Sequence, residues 1–270
     1  MAYEYSKVSK RDYENCEKIA DCIILDASKV YKVTKKEIRY SQVVNYLYHS
    51  FPPLAIICFS KSSTSLGASY PTLNRFNNLL NGVGLDLTCS DYRQEKPSFV
   101  DKVDGITTFV SGNPIVFLNA ASNQYYAHVI FTIIHELIHV YESYKNSHYM
   151  EAAALIGNSK ITGNDYPEEL QPLENKTNVI ASLLYVPSAS LKEQIMTQSF
   201  MGLCTFYSTS QSAMHNRLFN YFYYERGWSE YDAKNAVFAF RNCDFSAMGD
   251  VRYNLTNNIN PSNDLLDFLF

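Results

Sequence analysis

Apolar residues recur at helical spacing near the start of the chain. One helix is predicted by apolar side chains three or four positions apart, namely Ile19, Ala20, Ile23, Ala27 and Val30. Downstream, Thr34-Lys-Lys-Glu37 resembles a capping box, in which a hydroxyl and a carboxylate three residues apart cap a helix start. This pattern predicts a second helix from Thr34 to about His49, ended by Pro52 and Pro53.

Short apolar segments in the next part of the chain predict strands. The apolar run over residues 54–59 predicts a short buried strand. A Ser-rich stretch over 60–69 predicts a loop, and a helix is predicted to follow near 71–80. Residues 105–110 and 115–119 flank Ser111-Gly-Asn-Pro114. Gly, Asn and Pro are typical of tight turns, so these segments predict two strands joined by such a turn.

The most apolar segment, residues 123–144, contains no Gly or Pro and is apolar nearly all round. A helix with that character is normally buried in the centre of a protein. A long surface loop over 146–172 and a helix over 173–186, stopped by Pro187, are predicted to follow. The later predictions are a second capping box at Ser190-Leu-Lys-Glu193, helices over 210–226 and 230–241 with Gly227 between them, and an Asn-rich tail after 242.

Composition narrows the class of protein. Hydrophobic residues make up 46% of the 270 and charged residues 19%, which is typical of a globular chain and excludes a disordered or fibrous one. A net charge of −4 argues against direct nucleic-acid binding. Residues 1–10 lack a secretory signal, no apolar stretch predicts a membrane span, and the six cysteines form no C-x-x-C pair. The expected location is the cytoplasm, with no membrane association.

The predicted central helix carries His135-Glu136-Leu-Ile-His139. Four residues on a helix turn through about 400°, so both imidazoles point the same way, one turn apart. Two such imidazoles can bind one metal ion, and Glu136 can act on a water molecule beside it. The spacing therefore predicts a zinc site with His135 and His139 as ligands and Glu136 as general base for a zinc-activated water.

A catalytic zinc needs a third protein ligand. Glu174 opens the helix after the long loop and is the favoured candidate, whereas Glu142 is expected to be solvated or to lie behind the ligands, and Glu168 and Glu169 fall in the loop. Asn178, one turn after Glu174, is predicted either to orient the ligand carboxylate or to face solvent. His128, two turns before His135, either lines the cleft or is a hydrogen-bonded structural residue.

These motifs resemble the ImmA/IrrE family of zinc metallopeptidases. The approach to the active helix is similar in Gly105-Ile106, in Ile115-Val-Phe-Leu-Asn119 and in Phe131-Thr-Ile-Ile-His135-Glu136-Leu-Ile-His139. Downstream likeness lies in Glu174-Asn-Lys-Thr-Asn178, in Ala181-Ser-Leu-Leu184-Tyr-Val-Pro187 and in Ser210-Gln-Ser-Ala213-Met-His-Asn-Arg217-Leu218. The resemblance implies His135, His139 and Glu174 as zinc ligands, Glu136 as catalytic base, and site-specific cleavage of DNA-binding repressors.

The expected architecture is α+β: a mostly helical zincin-like metallopeptidase core with a small mixed or antiparallel sheet and extra helices. The core is assigned to residues 95–226, with an N-terminal extension over 1–94 packing on it and a C-terminal helical extension and tail over 227–270. The expected function is that of a zinc-dependent endopeptidase acting on a protein substrate, such as a transcriptional repressor. The alternative is a non-proteolytic metal-binding regulator, or a toxin–antitoxin-type protein of the same fold that binds a partner.

Overall fold

The computed structural model describes residues 8–51, 54–59, 104–119, 126–145 and 171–261. In these ranges the chain is mostly helical, with one small sheet. The strands are β1 (Ala55–Phe59), β2 (Gly105–Val110) and β3 (Asn113–Asn119). The helices are α1 (Lys10–Tyr31), α2 (Tyr40–Ser50), α3 (Tyr126–Lys145), α4 (Gln171–Tyr185), α5 (Ser188–Thr197), α6 (Phe200–Tyr207), α7 (Gln211–Asn220), α8 (Glu230–Arg241) and α9 (Phe245–Asn257), with a π-helical turn (Tyr221–Glu225) after α7.

The sheet is mixed, with strand order β1-β3-β2. β3 pairs parallel with β1 and antiparallel with β2. Ser111 and Gly112 connect β2 to β3, and both have positive φ angles, 52° and 80°. Two residues of this kind match the right-handed twist of a hairpin, which explains the short connection. The predicted strand pair and turn are therefore confirmed, with β3 beginning two residues earlier than expected.

Helix α3 occupies the centre of the molecule, as its uniformly apolar sequence predicted. It packs against β2 and β3 on one side and against α2 and α4 on the other. The sheet and the two helices each contact apolar side chains of α3, so residues on opposite faces of this helix, such as Ile138 and Val140, are fully buried. An ionisable side chain in the buried part of this helix must therefore be satisfied by a partner inside the fold.

The N-terminal helices pack onto this centre. Ser9 caps α1 by accepting a hydrogen bond from the Asp12 backbone N–H, and α1 lies against α4. The predicted start of the second helix at Thr34 is wrong, because α2 begins at Tyr40. The Thr34–Glu37 hydrogen bonds do form, at 3.0 Å from the Thr34 backbone N–H and 2.8 Å from its hydroxyl, but they close an isolated turn.

The predicted capping box at Ser190 is also wrong. Helix α5 begins at Ser188 after Pro187, so Ser190 lies inside the helix, where its hydroxyl accepts a hydrogen bond from Tyr207 at 2.8 Å. Helix α4 begins at Gln171, two residues before the expected position, because Pro172 is tolerated in a first helical turn.

Arg217 ties the later helices together. Its guanidinium is 1% exposed and donates to the Val186 carbonyl at 3.0 Å, the Glu225 carboxylate at 2.8 Å and the Ser188 hydroxyl at 2.7 Å. Tyr13 of α1 donates to the same Glu225 oxygen at 2.9 Å. This network joins the end of α4, the start of α5, α7 and α1 around one buried charge pair.

Several predictions fall on other parts of the chain. The Ser-rich loop over 60–69, the helix near 71–80 and the loop over 146–170 lie outside the described residues. Across the ranges that are described, none of the helices combines the length and apolar character needed to cross a membrane.

Candidate metal centre

The candidate centre lies between α3 and α4. His135 and His139 are one turn apart on α3, and Glu174 lies in the first turn of α4. Glu174 reaches both imidazoles, while Asn178, one turn later on α4, reaches only His135. Residue numbers increase along α4 in the direction in which they decrease along α3, so the two helices run antiparallel through the site.

One donor atom from each of His135, His139 and Glu174 lies within 4.8 Å of the other two. The Nε2 atoms of the two imidazoles are 2.9 Å apart, and the Glu174 carboxylate oxygens lie 3.0 Å from His135 Nε2 and 3.3 Å from His139 Nε2. Bonds of about 2.1 Å to one tetrahedral ion would separate the donor atoms by about 3.4 Å. The observed spacing is close to this value, so the group could hold a metal ion.

Hydrogen bonding gives a second test of whether the site fits a cation. Asn178 Oδ1 can only accept a hydrogen bond and lies 3.0 Å from His135 Nδ1, so that nitrogen carries a proton. In neutral His135 the other nitrogen, Nε2, is then a lone-pair acceptor, and it faces the Glu174 carboxylate. The His135 lone pair and the Glu174 carboxylate oxygens therefore converge in a site whose side chains are only 11–13% exposed. A bound cation satisfies lone pairs that are buried together in this way.

The pKa shifts report the same concentration of negative charge. Burial raises the pKa of Glu174, but its hydrogen bonds to His135 and His139 outweigh burial and bring it below the ordinary value. Burial lowers the pKa of His135, but the hydrogen bond to Glu174 and the charges of Glu136 and Glu174 leave it raised. The carboxylates therefore attract positive charge to this position, whether a proton or a metal ion.

Glu136 is 5% exposed and faces the sheet beside the metal-binding group. The Thr107 hydroxyl of β2 lies 2.7 Å from Glu136 Oε2 and donates a hydrogen bond to it. Oε1 has no such donor among the residues described, and it lies against Gly105, where an added Cβ would come within 2.8 Å of it. Glu136 is therefore held through one oxygen, and the other is available to a reacting proton.

The structure assigns the remaining predicted residues to distinct positions. Asn178 orients the His135 ring rather than the Glu174 carboxylate. His128 is about half exposed, lies 2.8 Å from Asp104, which raises its pKa, and lines a pocket of about 410 Å³ next to the site. Glu142 is not among the three clustered residues, while the alternatives Glu168 and Glu169 lie outside the described part of the chain.

Sequence reasoning missed Thr107 and the close approach of Gly105. A signal for both exists, because residues two apart on a strand point to the same face. Gly105 and Thr107 therefore lie on the same face of β2, and both face the helix that packs on that strand. Recognising that α3 is this helix would have placed both residues next to Glu136.

Comparisons with protein-family models, with curated proteins and with solved structures each found no match to this chain. The class of protein is therefore described from the fold and the candidate metal centre alone. The chain is an α+β protein with a small mixed sheet. It has a buried His-His-Glu group that could hold a metal ion.

Proposed function

We propose that this protein is a zinc-dependent endopeptidase. The observation that carries the proposal is the convergence of His135, His139 and Glu174, with Glu136 buried next to them on the same helix. His135, Glu136 and His139 have the spacing expected of a zinc peptidase, and Glu174 is the candidate third ligand from α4. The resemblance of the same segments to the ImmA/IrrE metallopeptidases supports this proposal.

The donor set favours zinc over magnesium or calcium. Two imidazole nitrogens and one carboxylate are ordinary zinc ligands, whereas magnesium and calcium prefer sites made entirely of oxygen. Three protein ligands also leave one position of a tetrahedral ion for water or substrate. A zinc ion bound there would supply Lewis-acid activation of a water molecule and of the peptide carbonyl.

Glu136 is suited to the proton transfers of peptide hydrolysis. Its Oε1 would accept a proton from the attacking water and then deliver that proton to the leaving nitrogen. The hydrogen bond from Thr107 to Oε2 restricts rotation of the carboxylate, and the absent side chain of Gly105 leaves space for Oε1. A general base held in one orientation loses less entropy when the reaction proceeds.

Asn178 fixes the geometry of the ligand set. It accepts a hydrogen bond from His135 Nδ1, which leaves the lone pair of Nε2 directed at the metal position. The proposed zincin-like core therefore uses two residues of α4, one turn apart: Glu174 to hold the ion and Asn178 to orient a histidine that also holds it.

The proposed substrate is a regulatory protein such as a DNA-binding repressor. This part of the proposal depends on the family resemblance, which implies cleavage of such repressors. The net charge of −4 agrees with an enzyme that acts on DNA-binding proteins rather than on DNA.

The test is incubation of the zinc-loaded chain with purified repressors encoded beside its gene. Cleavage at one site, abolished by a chelator and by Glu136→Gln, is expected. Glu142→Gln is the matched control, because Glu142 lies on the same helix outside the metal-binding group. A tight complex without cleavage would instead favour the partner-binding alternative, and cleavage undiminished in Glu136→Gln would contradict the proposed mechanism.

A further inference from the structure

Asn178 belongs to two features of the structure at once. Its Oδ1 accepts a hydrogen bond from His135 Nδ1 at 3.0 Å, and its side chain also lines the pocket of about 410 Å³ beside the metal-binding group. The bond to His135 fixes the orientation of the amide, because only its oxygen can accept from a protonated nitrogen. The amide nitrogen, Nδ2, is therefore the end of the side chain that remains for another partner.

The Nδ2 atom of Asn178 is a hydrogen-bond donor that the fold does not use. Within the described ranges, the bond to His135 is the one hydrogen bond that this side chain makes. Asn178 is half-buried, and Nδ2 is not one of the fully buried polar atoms that lack a partner, so it remains accessible. An accessible donor whose direction is fixed by the oxygen of the same amide is preorganised for a ligand acceptor.

Ser182 repeats this arrangement one turn later on α4. It lines the same pocket, is likewise half-buried, and its hydroxyl makes no hydrogen bond to a described residue. Residues four apart on a helix are separated by about 6 Å along its axis, and alternate residues of an extended peptide by about 6.6 Å. Asn178 and Ser182 therefore match the spacing at which an extended chain presents carbonyl oxygens along one edge.

The pocket offers no free charge to a ligand. Arg217 lines it, but all three of its guanidinium nitrogens already donate to the carboxylate, hydroxyl and carbonyl groups described above. His128, also in the lining, lies 2.8 Å from the Asp104 carboxylate. A carboxylate ligand would find no free counter-ion among the described lining residues, whereas a neutral carbonyl oxygen needs none. The acceptor that suits these donors is therefore neutral.

We propose that Asn178 binds the backbone of the substrate, with Nδ2 donating a hydrogen bond to a peptide carbonyl oxygen and the Ser182 hydroxyl donating to the carbonyl two residues further along. Asn178 is one helical turn, about 6 Å, past Glu174, so the carbonyl that it binds lies one or two residues from the cleaved bond. The contact aligns an extended chain with the metal position without selecting a side chain. It rests on the proposed function for its biological meaning, whereas the hydrogen bonds themselves need no metal.

The first test measures binding without cleavage. The full chain, with a chelator present, is titrated with acetyl-hexaalanine-amide and followed by NMR of the side-chain amide groups. The signal of Asn178 should shift, while that of Asn175 should not, because Asn175 bonds to Gln171 and is not among the residues that line the pocket. An unchanged Asn178 signal, or no binding of the peptide, would overturn the assignment.

Asn178→Asp removes the donor but keeps an acceptor for His135. Its affinity for the same peptide should fall about tenfold, which is the effect of losing one neutral hydrogen bond. Asn175→Asp is the matched control, since it adds the same charge to the same helix outside the pocket, and it should bind like the unmodified chain. Equal affinity in the two variants would contradict the proposed contact.

Cleavage kinetics separate substrate binding from the orientation of His135. With a cleaved substrate, zinc-loaded Asn178→Asp should show a KM raised about tenfold, nearly unchanged kcat and full zinc content. Replacing the bound carbonyl by a thiocarbonyl, whose sulfur is a weaker acceptor, should weaken binding to the unmodified chain but hardly to Asn178→Asp. A loss confined to kcat or to zinc content would leave Asn178 only its orienting role and overturn the proposal.

The contact and the endopeptidase can fail separately. Peptide binding at Asn178 by a chain that cleaves nothing would support the contact and contradict the proposed function. Chelator-sensitive cleavage with the same KM in Asn178→Asp as in the unmodified chain would support the function and overturn the contact.

Discussion

Gly105 lies so close to Glu136 that a single added methyl group tests the packing of the site. An alanine Cβ at this position would lie 2.7 Å from Thr132 Cγ2, 2.8 Å from Glu136 Oε1 and 2.9 Å from Glu136 Cγ. Nonbonded carbon atoms prefer separations of about 3.5–4.0 Å, so β2 or Glu136 must move by roughly 0.8 Å. Overpacking of this kind costs about 1–3 kcal/mol.

The expected result for Gly105→Ala is a loss of about 1–3 kcal/mol in the free energy of unfolding, measured by urea denaturation. Zinc stoichiometry should be unchanged, because Gly105 does not contact the metal-binding group. Displacing the Glu136 carboxylate by close to 1 Å should also lower the rate of peptide cleavage by about 100-fold.

Gly249→Ala is the matched control. Gly249 lies in helix α9 with no atom within 4 Å of its added Cβ, so alanine there should stabilise the chain by up to about 1 kcal/mol. The reasoning is refuted if Gly105→Ala is as stable as Gly249→Ala, or if it cleaves substrate at the rate of the unmodified chain.

Three other perturbations have defined outcomes. Arg217→Met should lower the unfolding free energy by about 3–5 kcal/mol in urea titrations, because it leaves the Glu225 carboxylate buried without its counter-ion; a loss below about 1 kcal/mol would contradict this. Burial, followed by the charge of Arg241, lowers the pKa of His215 from 6.5 to about 4. The unfolded chain therefore binds this proton first, and stability present above pH 6.5 is lost as the pH falls toward 4, by up to about 3 kcal/mol. Urea titrations across this range should show a shallower loss for His215→Gln, and identical slopes would refute the assignment. Thr107→Val should retain zinc but reduce cleavage about tenfold, since Glu136 loses the hydrogen bond that orients it; full activity would exclude that role.

The strongly patterned segments could be predicted from the sequence. Helix α3 follows from apolar residues on every face and the absence of Gly and Pro, and the β2–β3 hairpin follows from its turn residues. The convergence of His135 and His139 follows from helical spacing alone. Glu174 required one further assumption, that the helix after the long loop packs beside α3.

Other features depend on tertiary contacts that a linear pattern does not contain. The Thr34–Glu37 capping hydrogen bonds form without a helix behind them, and Ser190 is a buried hydrogen-bond acceptor rather than a cap. Asn178 faces His135 only because α3 and α4 run antiparallel at the site. The support of Glu136 by Thr107 likewise arises from packing of β2 on α3.

The zinc content of the purified full chain, measured by mass spectrometry, tests the central claim that His135, His139 and Glu174 form one zinc site. The account predicts one zinc ion per chain in the unmodified protein and in Glu136→Gln, and a large loss in Glu174→Gln. Absence of zinc from the unmodified chain after growth with zinc, or full retention in Glu174→Gln, would contradict it.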